Sequence, residues 1–282
     1  MPQINRVTIV GLGLIGGSLG MAVRRGRVAR LVVGVSRRAG TAARAKSRGA
    51  IDRASGSLAG AVRDADVVVL AVPVGAVVPS VRRMRRSLRR GTLLMDVGST
   101  KAQIVRGIER ILPAGVDYVG AHPIAGSERR GIEAAEAGLF KGAVCVLTPG
   151  RRTSRAALGR ARTFWTALGM QVLVMSPARH DRLLAGASHL PHVIAFSLAR
   201  AVSLAPLPAA PRSFLDMTRI AKSDPALWRD ILLTNRPSLI NALDRFTADL
   251  RRMRVALAAG RPAAVRRLLS AGKRRRDALD QS

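Results

Sequence analysis

The stretch "RVTIVGLGLIGGSLG" (6–20) constrains this chain more than any other. An apolar, β-branched run (6–10) leads directly into Gly11-x-Gly13-x-x-Gly16 and a helical stretch. A strand that turns into a helix across glycines at this spacing is the phosphate-cradling unit of a dinucleotide-binding fold. The first glycine permits the tight turn, and the second lets a pyrophosphate approach the backbone. The third lets helix pack on strand, while the helix N-terminus favours the phosphate charge. Gly11, Gly13, Leu14, Ile15 and Gly16 are therefore the residues expected against the phosphates.

An apolar run after an arginine also raises the question of a signal peptide. The glycines at 11, 13, 16, 17 and 20 suit a turn better than an apolar signal core. The longest nearly uncharged runs (7–23 and 67–81) are broken by Gly or Pro and fall short of the ~20 residues that span a bilayer. A cytoplasmic protein without membrane insertion is expected.

Short β-branched runs continue through the first half: 31–35, 66–72, 92–97, 117–122, 143–148 and 170–175, with Ala- and Arg-rich helical stretches between most of them. That alternation predicts a mainly parallel sheet covered by helices. After Pro177 no strand pattern recurs and Ala/Leu/Arg helices take over, one of them opened by "SDPALW" (223–228), with a polar cap and an early proline. "SLAPLPAAPRS" (203–213) reads as a loop. The fold class expected is α/β: a Rossmann-type dinucleotide-binding domain (1–175) followed by an all-helical domain (176–282) for substrate binding and dimerisation.

The second strand closes on "GVSRR" (34–38), where an acid that grips the ribose of NAD is commonly found. Ser36 can instead donate to a 2′-phosphate, and Arg37 or Arg38 can pair with its charge. This reads as a preference for NADP over NAD.

The formal net charge is +31, and all but five of the 48 basic residues are arginines. They form clusters at 82–90, 251–254 and 273–276, but aromatics make up only 3% of the chain. Without aromatics interleaved in a basic face, specific nucleic-acid binding is not expected. Arginine-biased helix surfaces and a field that attracts anionic substrates are expected instead. Cys145 is the single cysteine, which excludes an internal disulfide and a multi-cysteine metal site. Its run, "GAVCVLT", predicts a buried packing role, and no metal site is expected.

Four histidines remain: His122, His180, His189 and His192. His122, in "GAHPIAGSE" (120–128), ends a strand at the edge where ligands of α/β sheets bind. His189 and His192, in "SHLPH", are placed on one helical face by their spacing. A packed or capping histidine is the commoner explanation for each taken alone.

With "GLGLIGGS", "DVGSTK" (96–101), "GAHPIAGSE", "SHLPH" and "FLDMTRIAKSDPALWRDI" (214–231) in this order, the chain resembles the prephenate/arogenate dehydrogenase family over residues 6–250. The resemblance implies oxidation of prephenate or arogenate with NAD(P) and loss of CO2, giving 4-hydroxyphenylpyruvate or tyrosine, in a homodimer. It makes His122 the proton acceptor and Ser99 the residue that orients it and the substrate hydroxyl. Ser99 also reads as a helix N-cap. Arg219 matches a carboxylate-binding arginine, and His189 and His192 match pocket histidines. Ser127 and Glu128 match polar residues beside the catalytic loop, while Asp216 and Trp228 match the dimer-side wall of the pocket. His180 is expected to support the chemistry without carrying it. Pro211-Arg212-Ser213 replaces a stretch that is often glycine-rich in the family, so a stiffer loop is expected. Feedback inhibition through a C-terminal regulatory domain is not expected.

Two other functions are compatible with parts of this sequence. A β-hydroxyacid dehydrogenase would need a catalytic lysine in the helical half, where Lys222 alone is suitably placed. A non-catalytic basic nucleotide- or nucleic-acid-binding protein would show salt-sensitive binding without turnover.

Overall fold

The β-branched runs pair into one eight-stranded sheet with the order β3-β2-β1-β4-β5-β6-β7-β8. The computed structural model describes residues 4–126, 129–202 and 211–280. In chain order the elements are β1 (Ile4–Val10), α1 (Leu14–Arg25), β2 (Ala29–Val35), α2 (Ala39–Ser47), β3 (Arg53–Ser55), α3 (Leu58–Val62), β4 (Val67–Leu70) and α4 (Val74–Met84). They continue with β5 (Leu93–Asp96), α5 (Ala102–Glu109), β6 (Asp117–Pro123), β7 (Val144–Thr148), α6 (Arg155–Ala167) and β8 (Gln171–Val174). Helices follow: α7 (Pro177–Leu184), α8 (Leu190–Ala201), α9 (Arg212–Thr218), α10 (Pro225–Thr234), α11 (Arg236–Ala258) and α12 (Pro262–Asp277). Chain contacts group Met1–Asn235 into one compact unit and Arg236–Ser282 into another. The second unit holds α11 and α12, which pack on each other.

All strand pairs are parallel except β6–β7, where His122 lies opposite Val146 in an antiparallel register. The central strands read as unbroken apolar runs because both faces of the sheet are covered. Side chains alternate between the two faces. Val67, Val69, Leu93 and Met95 pack with Leu19, Val23, Phe164 and Trp165 on one side. Val68, Leu70 and Leu94 pack with Val77, Val81, Met84 and Ile104 on the other. Burying a Val or Leu side chain fully stabilises by about 1.5–3 kcal/mol, so these two layers anchor the sheet under its loops.

Strand β3 was not expected. Its three residues, Arg-Ala-Ser, carry no apolar pattern and hold their place at the sheet edge through main-chain pairing with Val33–Val35. The loop expected over 203–213 is corrected at its end, and residues 203–210 lie outside the described residues. Arg212 and Ser213 form the first turn of α9, because the proline ring of Pro211 (φ −57°) presets the chain at the cap position. The "SDPALW" start appears as read: Asp224 caps α10 by accepting from the Ala226 amide at 2.7 Å. Cys145 is buried in β7, and burial pushes its thiol up to about 12. Among the described residues no helix is long and apolar enough to cross a membrane.

Candidate active site

The strand order reverses between β2-β1 and β1-β4, and a crevice opens beyond the carboxyl ends of the strands there. It is a cavity of about 1070 Å³ whose wall includes Gly13, Leu14 and Ile15 after β1, Ala71–Val74 after β4 and Val97–Ser99 after β5. His122 and the segment to Gly126 follow at the end of β6, and the helical residues Ser188, His192, Arg219 and Trp228 complete the wall.

The glycine loop is shaped by close approaches. Gly11 has φ +99°, and a Cβ there would lie 2.2 Å from the Ala71 carbonyl oxygen. A Cβ on Gly16 would lie 1.8 Å from the Gly11 oxygen, so the helix could not sit this close to the strand. At Gly13 a Cβ would meet nothing within 4 Å, and the first turn of α1 has neither an acidic residue nor a side-chain cap. Its orphan amides are thus left for an anion, which fits a pyrophosphate. The Gly11 amide donates to the Val35 oxygen at 2.9 Å, which brings Ser36 beside the loop. Ser36 is half-buried and its Oγ accepts from the Arg38 amide at 3.3 Å, while Arg37 and Arg38 are exposed. These three residues lie outside the cavity wall itself.

His122 stands partly exposed on the wall, and its Nδ1 lies 2.8 Å from His180 Nε2. His180 Nδ1 in turn lies 2.8 Å from Asp181 Oδ1. Asp181 accepts from the amides of Lys101 and Ala102, both at 2.8 Å, and so caps α5. Asn235 Nδ2 donates to the Asp181 carbonyl at 2.7 Å and lies 3.1 Å from His189 Nδ1. Beneath this chain Lys101 and Asp96 form a fully buried ion pair, with the ammonium also donating to the Ala121 oxygen at 2.8 Å. Burial, reinforced by the neighbouring His180 and Lys101, pulls the His122 pKa well below the ordinary imidazole range. A neutral imidazole held in this way is a proton acceptor at physiological pH.

Known proteins with the same chain organisation fix its relationship. A model described as prephenate dehydrogenase, nucleotide-binding domain, matches residues 19–174. One described as prephenate dehydrogenase, dimerization domain, matches 176–271. The chain belongs to the prephenate dehydrogenase family. It is 36% identical to a cyclohexadienyl dehydrogenase of Zymomonas mobilis over 92% of this chain and 90% of that one. It is 34% identical to a prephenate dehydrogenase of Bacillus subtilis over 88% of this chain and 69% of the relative. The solved prephenate dehydrogenase of A. aeolicus, in complex with hydroxyphenyl propionate and NAD+, superposes with a TM-score of 0.91 at 30% identity, covering 98% of each chain.

Within this prephenate dehydrogenase frame, the fold gathers five of the nine expected catalytic and substrate residues. His122, Ser99, Arg219, His192 and Trp228 share one cavity with Gly13, Leu14 and Ile15. His192 stacks on Trp228 with ring centroids 3.4 Å apart, and its Nδ1 bonds the Ser188 oxygen at 3.0 Å. Burial lowers its pKa, with Arg219 adding to the effect. Two expected pocket residues stand off the wall. His189 is 1% exposed, because a π-helical turn (Ala185–His189) precedes α8 and its ring packs behind Trp228 at 6.0 Å. Asp216 is exposed on α9 and does not line the cavity. Ser127 and Glu128 lie outside the described residues.

The alternative role of Ser99 as a helix cap is corrected, since Asp181 caps α5 from another helix. No hydrogen bond joins Ser99 to His122 among the described residues, and the bond that orients the His122 ring comes from His180. Lys222, the lysine a β-hydroxyacid dehydrogenase would need, is absent from the wall. Sequence reasoning missed Asp181, Lys101, Asp96 and Asn235. The adjacent pair in "RHDR" (179–182) was the available signal for Asp181. Nothing local marks Lys101 as buried.

Proposed function

We propose that this chain oxidatively decarboxylates prephenate to 4-hydroxyphenylpyruvate, arogenate to tyrosine, or both, in tyrosine biosynthesis. The observation that carries the reading is that a partly exposed histidine, His122, held through its Nδ1 by His180, shares one cavity with the glycine loop. When bound, NAD(P) supplies the hydride acceptor. His122 takes the proton of the ring hydroxyl as hydride leaves the carbon that bears it. Loss of CO2 then makes the ring aromatic. Ser99 faces the same space and serves the hydroxyl. Arg219 offers a bidentate fork to a substrate carboxylate, and His192 with Trp228 forms a flat wall beside it. His189 supports that wall from outside the cavity, its ring 6.0 Å from that of Trp228.

Gly11, Gly13, Leu14, Ile15 and Gly16 hold the pyrophosphate. Ser36, Arg37 and Arg38 favour NADP, because no carboxylate stands there to repel a 2′-phosphate. The likeness of residues 176–271 to a dimerization domain supports a homodimer built by the helical half, with the domain boundary near residue 176. The enzyme acts in the cytoplasm.

One assay set tests this: purified protein, both substrates and both cofactors, followed by reduced nicotinamide. Turnover with NADP ahead of NAD is expected, and a strong preference for NAD removes the role given to Ser36, Arg37 and Arg38. His122→Asn lowers kcat by about 10²–10⁴, as for a lost general base. Near-normal turnover in that variant rejects the assignment. Arg219→Gln instead raises KM, and an unchanged KM takes Arg219 out of the substrate site.

A further inference from the structure

Both ring nitrogens of His180 are engaged, one by a residue on the cavity wall and one by a carboxylate. It is fully buried, with a side-chain exposure of 0%. The hydrogen-bond partners determine which nitrogen carries which proton. Asp181 Oδ1 accepts from the Lys101 amide and Oδ2 from the Ala102 amide, so the carboxylate is held as an acceptor at the start of α5. An N–H must therefore face it from His180, which places a proton on Nδ1. With His180 neutral, its Nε2 is then a lone pair. That lone pair lies 2.8 Å from His122 Nδ1, which must be the donor. His122 is left with its proton on Nδ1 and an unprotonated Nε2.

We propose that Asp181 and His180 are positioning residues that set the tautomer of His122, leaving its Nε2 lone pair as the base on the cavity side. The direction of the relay is set by the backbone amides of α5, because an amide N–H cannot reverse its role. The opposite tautomer of His180 would bring two acceptors together at 2.8 Å against Asp181. The ring of His122 is also held edge-on to His180, with centroids 5.1 Å apart and planes at 60°, so orientation and tautomer are fixed together. Ser99 is thereby released from orienting His122 and is available to the substrate hydroxyl. The inference rests on the reading of His122 as the proton acceptor.

Nitrogen-15 NMR of histidine-labelled protein tests it at neutral pH. The chain has four histidines, and loss of one ring's signals in His122→Asn assigns that ring. The expected result is a proton on Nδ1 and none on Nε2 for both His122 and His180. A proton on His122 Nε2, or on both nitrogens of His180, overturns the relay. A His180→Leu variant, checked for folding by circular dichroism, should move the His122 proton towards Nε2. It should lower kcat about 10- to 10³-fold while NADP affinity and substrate KM stay within about twofold. An unchanged tautomer and unchanged kcat in that variant also overturn it. Normal turnover in His122→Asn sinks the base assignment instead, so the two failures are distinguishable.

Discussion

Asp96 and Lys101, five residues apart in the chain, form an ion pair in which neither side chain reaches solvent. Asp96 is further bonded by the Tyr118 hydroxyl at 2.6 Å and the Gly98 amide at 2.8 Å, and Lys101 reaches the Ala121 oxygen. Burial, reinforced by Asp96, raises the Tyr118 pKa and keeps that hydroxyl a donor. The cluster ties the end of β5 to the end of β6, one residue before His122.

Removing one partner of such a pair leaves a buried charge unmatched, which costs about 3–5 kcal/mol. Lys101→Met should therefore lower stability by about that amount in urea denaturation. The double variant Lys101→Met/Asp96→Leu should recover much of the loss. A single-variant loss under about 1 kcal/mol would mean that the pair does not hold the strand ends.

The glycine loop separates two roles that spacing alone conflates. Gly16→Ala forces a Cβ against a backbone oxygen, so it should lower the melting temperature and abolish nucleotide binding together. Gly13→Ala meets no protein atom within 4 Å, so stability should change by less than about 1 kcal/mol. Its added methyl occupies the space of the phosphate, and the Kd for NADP should rise about tenfold or more, equivalent to about 1.4 kcal/mol. Calorimetric binding of NADP to Gly13→Ala with an unchanged Kd would place the pyrophosphate elsewhere.

Stability should fall as pH is lowered from neutrality. Burial, partly opposed by Asp181, lowers the His189 pKa from 6.5 to about 4. Above pH 6.5 the ring is neutral in both states and contributes no slope. Between about 6.5 and 4 only the unfolded chain takes up the proton, so acidification favours unfolding, by about 3 kcal/mol when the window has been crossed. His122 is shifted in the same direction and steepens the slope. Urea midpoints at pH 7.5, 6 and 5 measure this, and His189→Leu should flatten the dependence. A midpoint that does not move over this range would contradict the burial of the His189 ring.

The glycine spacing and the β-branched runs made the sheet and its phosphate loop legible, because turn sterics and the alternation of side chains act between near neighbours. The end of a strand next to "HP" likewise marked His122, and the Asp–Pro pair marked the start of α10. Local pattern failed where a role depends on a partner far along the chain. Strand β3 has no apolar signal and exists only by pairing with β2. Lys101 reads as an ordinary loop lysine, and its burial follows only once Asp96 and Ala121 are brought around it. His180 lies 58 residues from His122 in sequence, and Asp181 lies 80 from the Lys101 amide it caps. The sequence by itself determined a strand–glycine–helix frame with histidines available to it, and only the tertiary structure decided which of them reach the cavity and which are sealed behind it. Buried polar groups must find partners, and those partners are supplied by distant segments whose meeting no local spacing encodes.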